Sequence, residues 1–114
     1  MNWKALTTVA QLDDIIETSK STPVAIFKHS TRCSISSMAK YRLEGDWDFE
    51  EAKLIPYYLD LIAHRDVSNA ITDKFGVHHE SPQILLIRDG ECTYDASHLD
   101  ISVNELHECY HDTF

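Results

Sequence analysis

The sequence predicts one α/β domain: a central mixed sheet with helices on both faces. Three observations predict it. Short apolar, β-branched runs alternate with stretches whose apolar residues recur at helical spacing. The last two strands flank Asp89-Gly90, the strongest hairpin-turn dipeptide in the chain. A length of 114 residues suits one domain, expected over 1–114, and leaves no room for a second.

The elements follow in order. Trp3 to Leu6 reads as a short strand. Thr8 can cap a helix whose apolar positions are Val9, Leu12, Ile15 and Ile16. Ser19 to Pro23 is a turn, and Pro23 to Lys28 is a buried strand. Ser30-Thr31 offers a cap for a helix carrying Ile35, Met38, Ala39, Arg42 and Leu43, with Gly45 interrupting it. Trp47 to Lys53 is a second helical stretch or an irregular link, with Trp47 and Phe49 expected in the core. Ile55 to Leu61 is a strand despite Pro56, and its Tyr57 and Tyr58 are also expected in the core. Asp66 or Ser68 caps a helix through Ala70, Ile71 and Phe75, which Gly76 stops. Gln83 to Arg88 and Glu91 to Tyr94 form the hairpin. A last helix starts at about Ser102, with Val103, Leu106 and Tyr110 on one face. The order β-α-β-α-β-α-β-β-α is that of thioredoxin. Alternating strands and helices imply parallel pairing, and the hairpin adds antiparallel edges.

Composition narrows the function. An apolar fraction of 43% indicates a globular chain rather than a disordered one. The net charge of -9 would repel phosphate backbones and anionic lipid heads, so neither nucleic acid nor a membrane is an expected partner. Apolar runs are too short to span a bilayer, and the start of the chain does not read as a signal peptide. The expected location is therefore the cytoplasm. The three cysteines, Cys33, Cys92 and Cys109, are odd in number and lack C-x-x-C spacing. This argues against a disulfide framework and a zinc ribbon.

Cys33 falls between a buried strand and a helix start. There, free backbone N–H groups and the positive end of the helix dipole favour a thiolate, the nucleophile of thiol–disulfide exchange. Arg32 pushes the same way. Ser36 stands where a dithiol enzyme carries its second cysteine; it can donate to a thiolate but cannot form a disulfide. The alternative for Cys33 is a buried cysteine that merely starts a helix. Ser81-Pro82 opens a strand expected beside the one that precedes Cys33, where thioredoxin-fold proteins place a cis-proline facing the cysteine.

The segment Phe27-Lys-His-Ser-Thr-Arg-Cys-Ser-Ile-Ser36 resembles the active-site segment of the monothiol bacilliredoxins. Tyr58-Leu-Asp-Leu61, Arg65-Asp-Val-Ser-Asn-Ala70, the run from Phe75 through His78-His79-Glu80-Ser81-Pro82 to Gly90, and Ala96-Ser-His98 extend the resemblance over nearly the whole chain. It implies a thioredoxin fold and removal of bacillithiol from protein mixed disulfides. The attacking cysteine would be Cys33 and the cis-proline Pro82. The implied partners are S-thiolated client proteins, a low-molecular-weight thiol as co-substrate, and a separate reductase; no cofactor is implied. The family segment reads Thr-Cys-Pro-Ile-Ser, whereas this chain has Arg32-Cys-Ser34-Ile-Ser36. The malate carboxylates of bacillithiol suit Arg32, with Lys28 or a nearby histidine, though the same change also suits another small thiol.

Other residues offer competing readings. His107 and His111 share a helix face, but two histidines do not make a metal site, and none is expected. His78-His79-Glu80 is either a polar loop or the rim of the substrate groove, with His79 as the contact. His29 either tunes the thiolate or is an ordinary hydrogen-bonded histidine. Cys92 and Cys109 are expected to be structural. The rival functional readings are a non-catalytic protein-binding module of a stress response and a carrier that stores a thiol adduct.

Overall fold

The computed structural model describes residues 1–111; the last three positions of the expected 1–114 domain lie outside the described residues. The elements are β1 (Lys4–Ala5), α1 (Ala10–Thr18), β2 (Val24–His29), α2 (Ser34–Asp46), β3 (Ile55–Asp60), α3 (Arg65–Phe75), β4 (Gln83–Arg88), β5 (Glu91–Ser97) and α4 (Val103–His111). A single 3-10 turn over His98–Asp100 joins β5 to α4. The sheet order is β1-β3-β2-β4-β5. β1, β3 and β2 run parallel, and β4 and β5 are antiparallel.

Strand periodicity divides the core in two. Val24, Ile26, Leu59, Leu85 and Ile87 face one side and meet Leu12 and Ile15 of α1 and Val67 and Ile71 of α3. Ala25, Phe27, Ile84 and Leu86 face the other and meet Ala39 and Leu43 of α2 and Val103 and Leu106 of α4. Successive residues of a strand point to opposite faces, so a run buried throughout needs helices on both sides. Trp47, Phe49 and Tyr58 pack against the second cluster and Tyr57 against the first.

Several boundaries differ from expectation for identifiable reasons. α1 opens one residue later, yet Thr8 still terminates it: Gln11 N–H donates to Thr8 Oγ1 at 3.3 Å, and Thr8 N–H donates to Gln11 Oε1 at 3.0 Å. This is a reciprocal capping box. Helix α3 begins earlier than Asp66, because Asp60 Oδ1 accepts the Ile62 and Ala63 N–H groups and turns the chain at once. Gly45 does not break α2, which runs to Asp46, and Trp47–Lys53 is an irregular link ending in a turn. Gly76 does stop α3, in the left-handed region at φ 64°. Ser102 Oγ accepts the Glu105 N–H at 3.1 Å and so caps α4.

Candidate functional site

The chain leaves β2 at His29 and turns through Ser30, Thr31 and Arg32. Cys33 N–H donates to the Ser30 carbonyl at 3.2 Å, closing this turn. Cys33 C=O then accepts the Ser37 N–H at 3.1 Å, the first hydrogen bond of α2. Cys33 is therefore itself the N-cap, with an extended backbone (φ -113°, ψ 121°), in place of the expected Ser30-Thr31 cap. Its side chain is half-buried and makes no capping hydrogen bond. The sulfur is attached where the helix has unpaired N–H groups and the positive end of its dipole. Arg32 is exposed beside it.

Ser36 lies fully buried one turn into α2. Its Oγ accepts the Ser30 N–H at 3.0 Å and is hydrogen-bonded to His29 Nδ1 at 2.6 Å. The hydroxyl thus ties helix, loop and strand together around Cys33. His29 is 5% exposed and is stacked on Phe27 and against Tyr58. Burial, reinforced by the Lys40 ammonium, holds its pKa below the ordinary histidine range.

Opposite β2 runs β4, with Lys28 in register with Gln83. Continuing that register sets Pro82 across from His29 and Ser81 across from Ser30. The Ser81-Pro82 peptide is cis, as the resemblance implied. Pro82 is buried, and its carbonyl accepts the His98 N–H at 3.0 Å. Ser81 Oγ and Gln83 Oε1 are buried without a hydrogen-bond partner.

The sequence offers Lys28 or a nearby histidine as a carboxylate contact, but not their pairing. Lys28, 0% exposed, lies under the loop that enters Pro82, with Nζ 2.6 Å from His79 Nδ1. Burial pushes its pKa down to about 8, against the pull of the Glu80 carboxylate. Burial and the neighbouring Lys28 ammonium also lower that of His79. The available signal was phase: Lys28 falls in step with Val24 and Ile26, which face the core.

The other chemical residues lie elsewhere. Cys92 packs on the α1/α3 face and Cys109 on the α2/α4 face. None of the three cysteines is in a disulfide. Burial and Asp95 push the Cys92 thiol up to about 11, which makes it a poor nucleophile. His107 pairs with Asp48 and stacks on Phe49 and His111. Among the described residues no group of three or more His, Cys, Asp or Glu could hold a metal ion, and no helix is long and apolar enough to cross a membrane.

Comparison with known proteins agrees with this arrangement. A solved structure of a candidate oxidoreductase with a thioredoxin fold is 34% identical, with a TM-score of 0.75, and the match covers 92% of this chain and 90% of that one. A thioredoxin from Malassezia sympodialis is 15% identical over 96% of this chain and 88% of that one, with a TM-score of 0.73. A thioredoxin variant from Halobacterium salinarum is 19% identical over 96% and 91%, with a TM-score of 0.69. The two thioredoxins show the fold alone. The family model for the monothiol bacilliredoxin BrxC matches residues 4–106, nearly the whole chain. With its thioredoxin fold and a cysteine at the start of α2, this chain belongs to the monothiol bacilliredoxin family and has a thiol redox role.

Proposed function

We propose that the protein removes a low-molecular-weight thiol, bacillithiol foremost, from mixed disulfides on client proteins, using Cys33 as its only redox thiol. The observation that supports this most is local. Cys33 caps α2, and the position one turn later is a serine whose hydroxyl is already paired with His29 and Ser30.

The thiolate of Cys33 attacks the small thiol's sulfur. The disulfide bond between that sulfur and the client's sulfur breaks, and the client leaves as a thiolate that takes a proton from water. Cys33 then holds the small thiol as a disulfide. A second small-thiol thiolate attacks the outer sulfur, releases the symmetrical small-thiol disulfide and restores the Cys33 thiolate. Alternatively, one thiolate of a separate reductase's dithiol attacks the outer sulfur and frees Cys33, and its second thiol then displaces the small thiol, leaving the disulfide in the reductase. Attack on the client's sulfur instead would leave the client bonded to Cys33 with no thiol at position 36 to displace it. Arg32, exposed beside Cys33, meets carboxylates on the incoming thiol in this reading, and the reducing cytoplasm is the proposed setting.

The test is recovery of a model protein thiol blocked with bacillithiol, cysteine or glutathione. Cys33→Ser abolishes recovery, whereas Cys92→Ser and Cys109→Ser keep most of it. An internal disulfide joining Cys33 to Cys92 or Cys109 during turnover would overturn the single-thiol reading. Equal recovery with and without Cys33 would favour a non-catalytic binding module.

A further inference from the structure

Lys28 and His79 form the least expected contact of the molecule. An ammonium has only N–H donors, so Lys28 Nζ donates and His79 Nδ1 accepts at 2.6 Å. A neutral imidazole with Nδ1 accepting must carry its proton on Nε2. His79 is exposed as a residue, though its contact with Lys28 is partly buried, and Nε2 has no partner among the described residues. The pair therefore presents one fixed N–H donor to solvent, polarised from behind by a buried cation. It lies at the end of the sheet that carries Cys33: Lys28 is five positions before the cysteine, and His79 is three before the cis-proline.

We propose that His79 Nε2–H is a carboxylate-recognising contact of the groove and that Lys28 is its positioning residue, together selecting anionic small thiols over neutral ones. This deepens the bacilliredoxin reading and rests on it. The surrounding charges fit. Arg65 of α3 adds a positive charge felt at His79. Glu80 is engaged sideways, 3.5 Å from His98 Nε2 and 3.8 Å from His78 Nε2. Asp95 of β5 is held off by Gln83 Nε2 at 3.4 Å, whose other bond, at 3.1 Å, is to the His78 carbonyl. Lys28 loses its charge as pH rises through about 8, so selectivity falls over that range.

The test compares kcat/KM for one model protein blocked with bacillithiol, which carries carboxylates, and with neutral 2-mercaptoethanol. In Lys28→Met the preference for the carboxylate substrate falls about tenfold, through KM, the scale of one lost charge-assisted hydrogen bond. His79→Gln, which keeps a side-chain N–H donor, retains part of the preference, and adding Lys28→Met to it costs little more. An unchanged preference in Lys28→Met, or equal loss on both substrates through kcat, overturns the proposal. Nitrogen NMR of the intact protein reads the pair without turnover: His79 should carry its proton on Nε2, and oxidised bacillithiol, but not 2-hydroxyethyl disulfide, should shift that signal in Cys33→Ser. A proton on Nδ1, or equal shifts with both disulfides, overturns it too. Failure of wild-type turnover with every blocked client would instead sink the de-thiolation reading while leaving the NMR result standing.

Discussion

Ser36 replaces a sulfur with a hydroxyl that has structural work at the same spot. Truncating it leaves the Ser30 N–H and His29 Nδ1 unpaired in a buried setting. Ser36→Ala is therefore expected to cost about 1–3 kcal/mol, and thermal unfolding should show a midpoint lower by several degrees. Lys28 predicts the opposite sign. Its pKa, about 8 in the fold against an ordinary 10.5, means that the unfolded chain holds the proton more tightly. Between those values the unfolded state binds more protons, so stability rises with pH; at pH 7 the buried charge is a net penalty. Lys28→Met should stabilise the protein by about 1–3 kcal/mol at pH 7. Denaturant melts across pH should show that advantage shrinking from pH 8 towards 10. A gain that does not change with pH would mean packing, not charge, is responsible. A group that weakens the fold yet lies at the Cys33 end of the sheet is what a binding role would look like.

At the scale of elements, two glycines separate backbone strain from helix propensity. Gly76 lies at φ 64° with open space where a Cβ would go, so Gly76→Ala is strained by its backbone alone and should lose about 1 kcal/mol. Gly45 is helical, exposed and equally unobstructed, so Gly45→Ala should gain up to about 1 kcal/mol. Equilibrium unfolding of both variants checks the pair of signs. The same two residues show what could be read in advance. Gly76 followed a helical pattern at its end and was legible as a stop. Gly45 looked similar, but the helix runs one residue beyond it, to Asp46, and a single glycine there costs too little to end it. Caps were read less well than elements. Thr8 and Ser102 supply side-chain caps as their residue types suggest, but α2 is capped by Cys33 and α3 is set up by Asp60 from the strand before it. Both depend on how the chain turns in space.

At the scale of the molecule, strand and helix order were legible because both core faces are written in the period of each element. Cys33, Ser36 and the cis Ser81-Pro82 peptide were legible because they sit at junctions of that order and in a recognisable segment. The pairing of Lys28 with His79 spans 51 positions and joins β2 to the loop before β4. It follows from the antiparallel register of β2 and β4, which no local pattern encodes. The same register brings the turn carrying Cys33 beside the cis-proline, and the proposed chemistry depends on that neighbourhood. Its direction of attack is the central claim, and intact-mass measurement after a single turnover tests it most directly. Protein with Cys33 reduced is mixed with an equimolar bacillithiol-blocked client, quenched by acid and weighed. The predicted result is Cys33 heavier by one small thiol, with the client thiol free. A client covalently trapped on Cys33, with free bacillithiol released, would contradict the account.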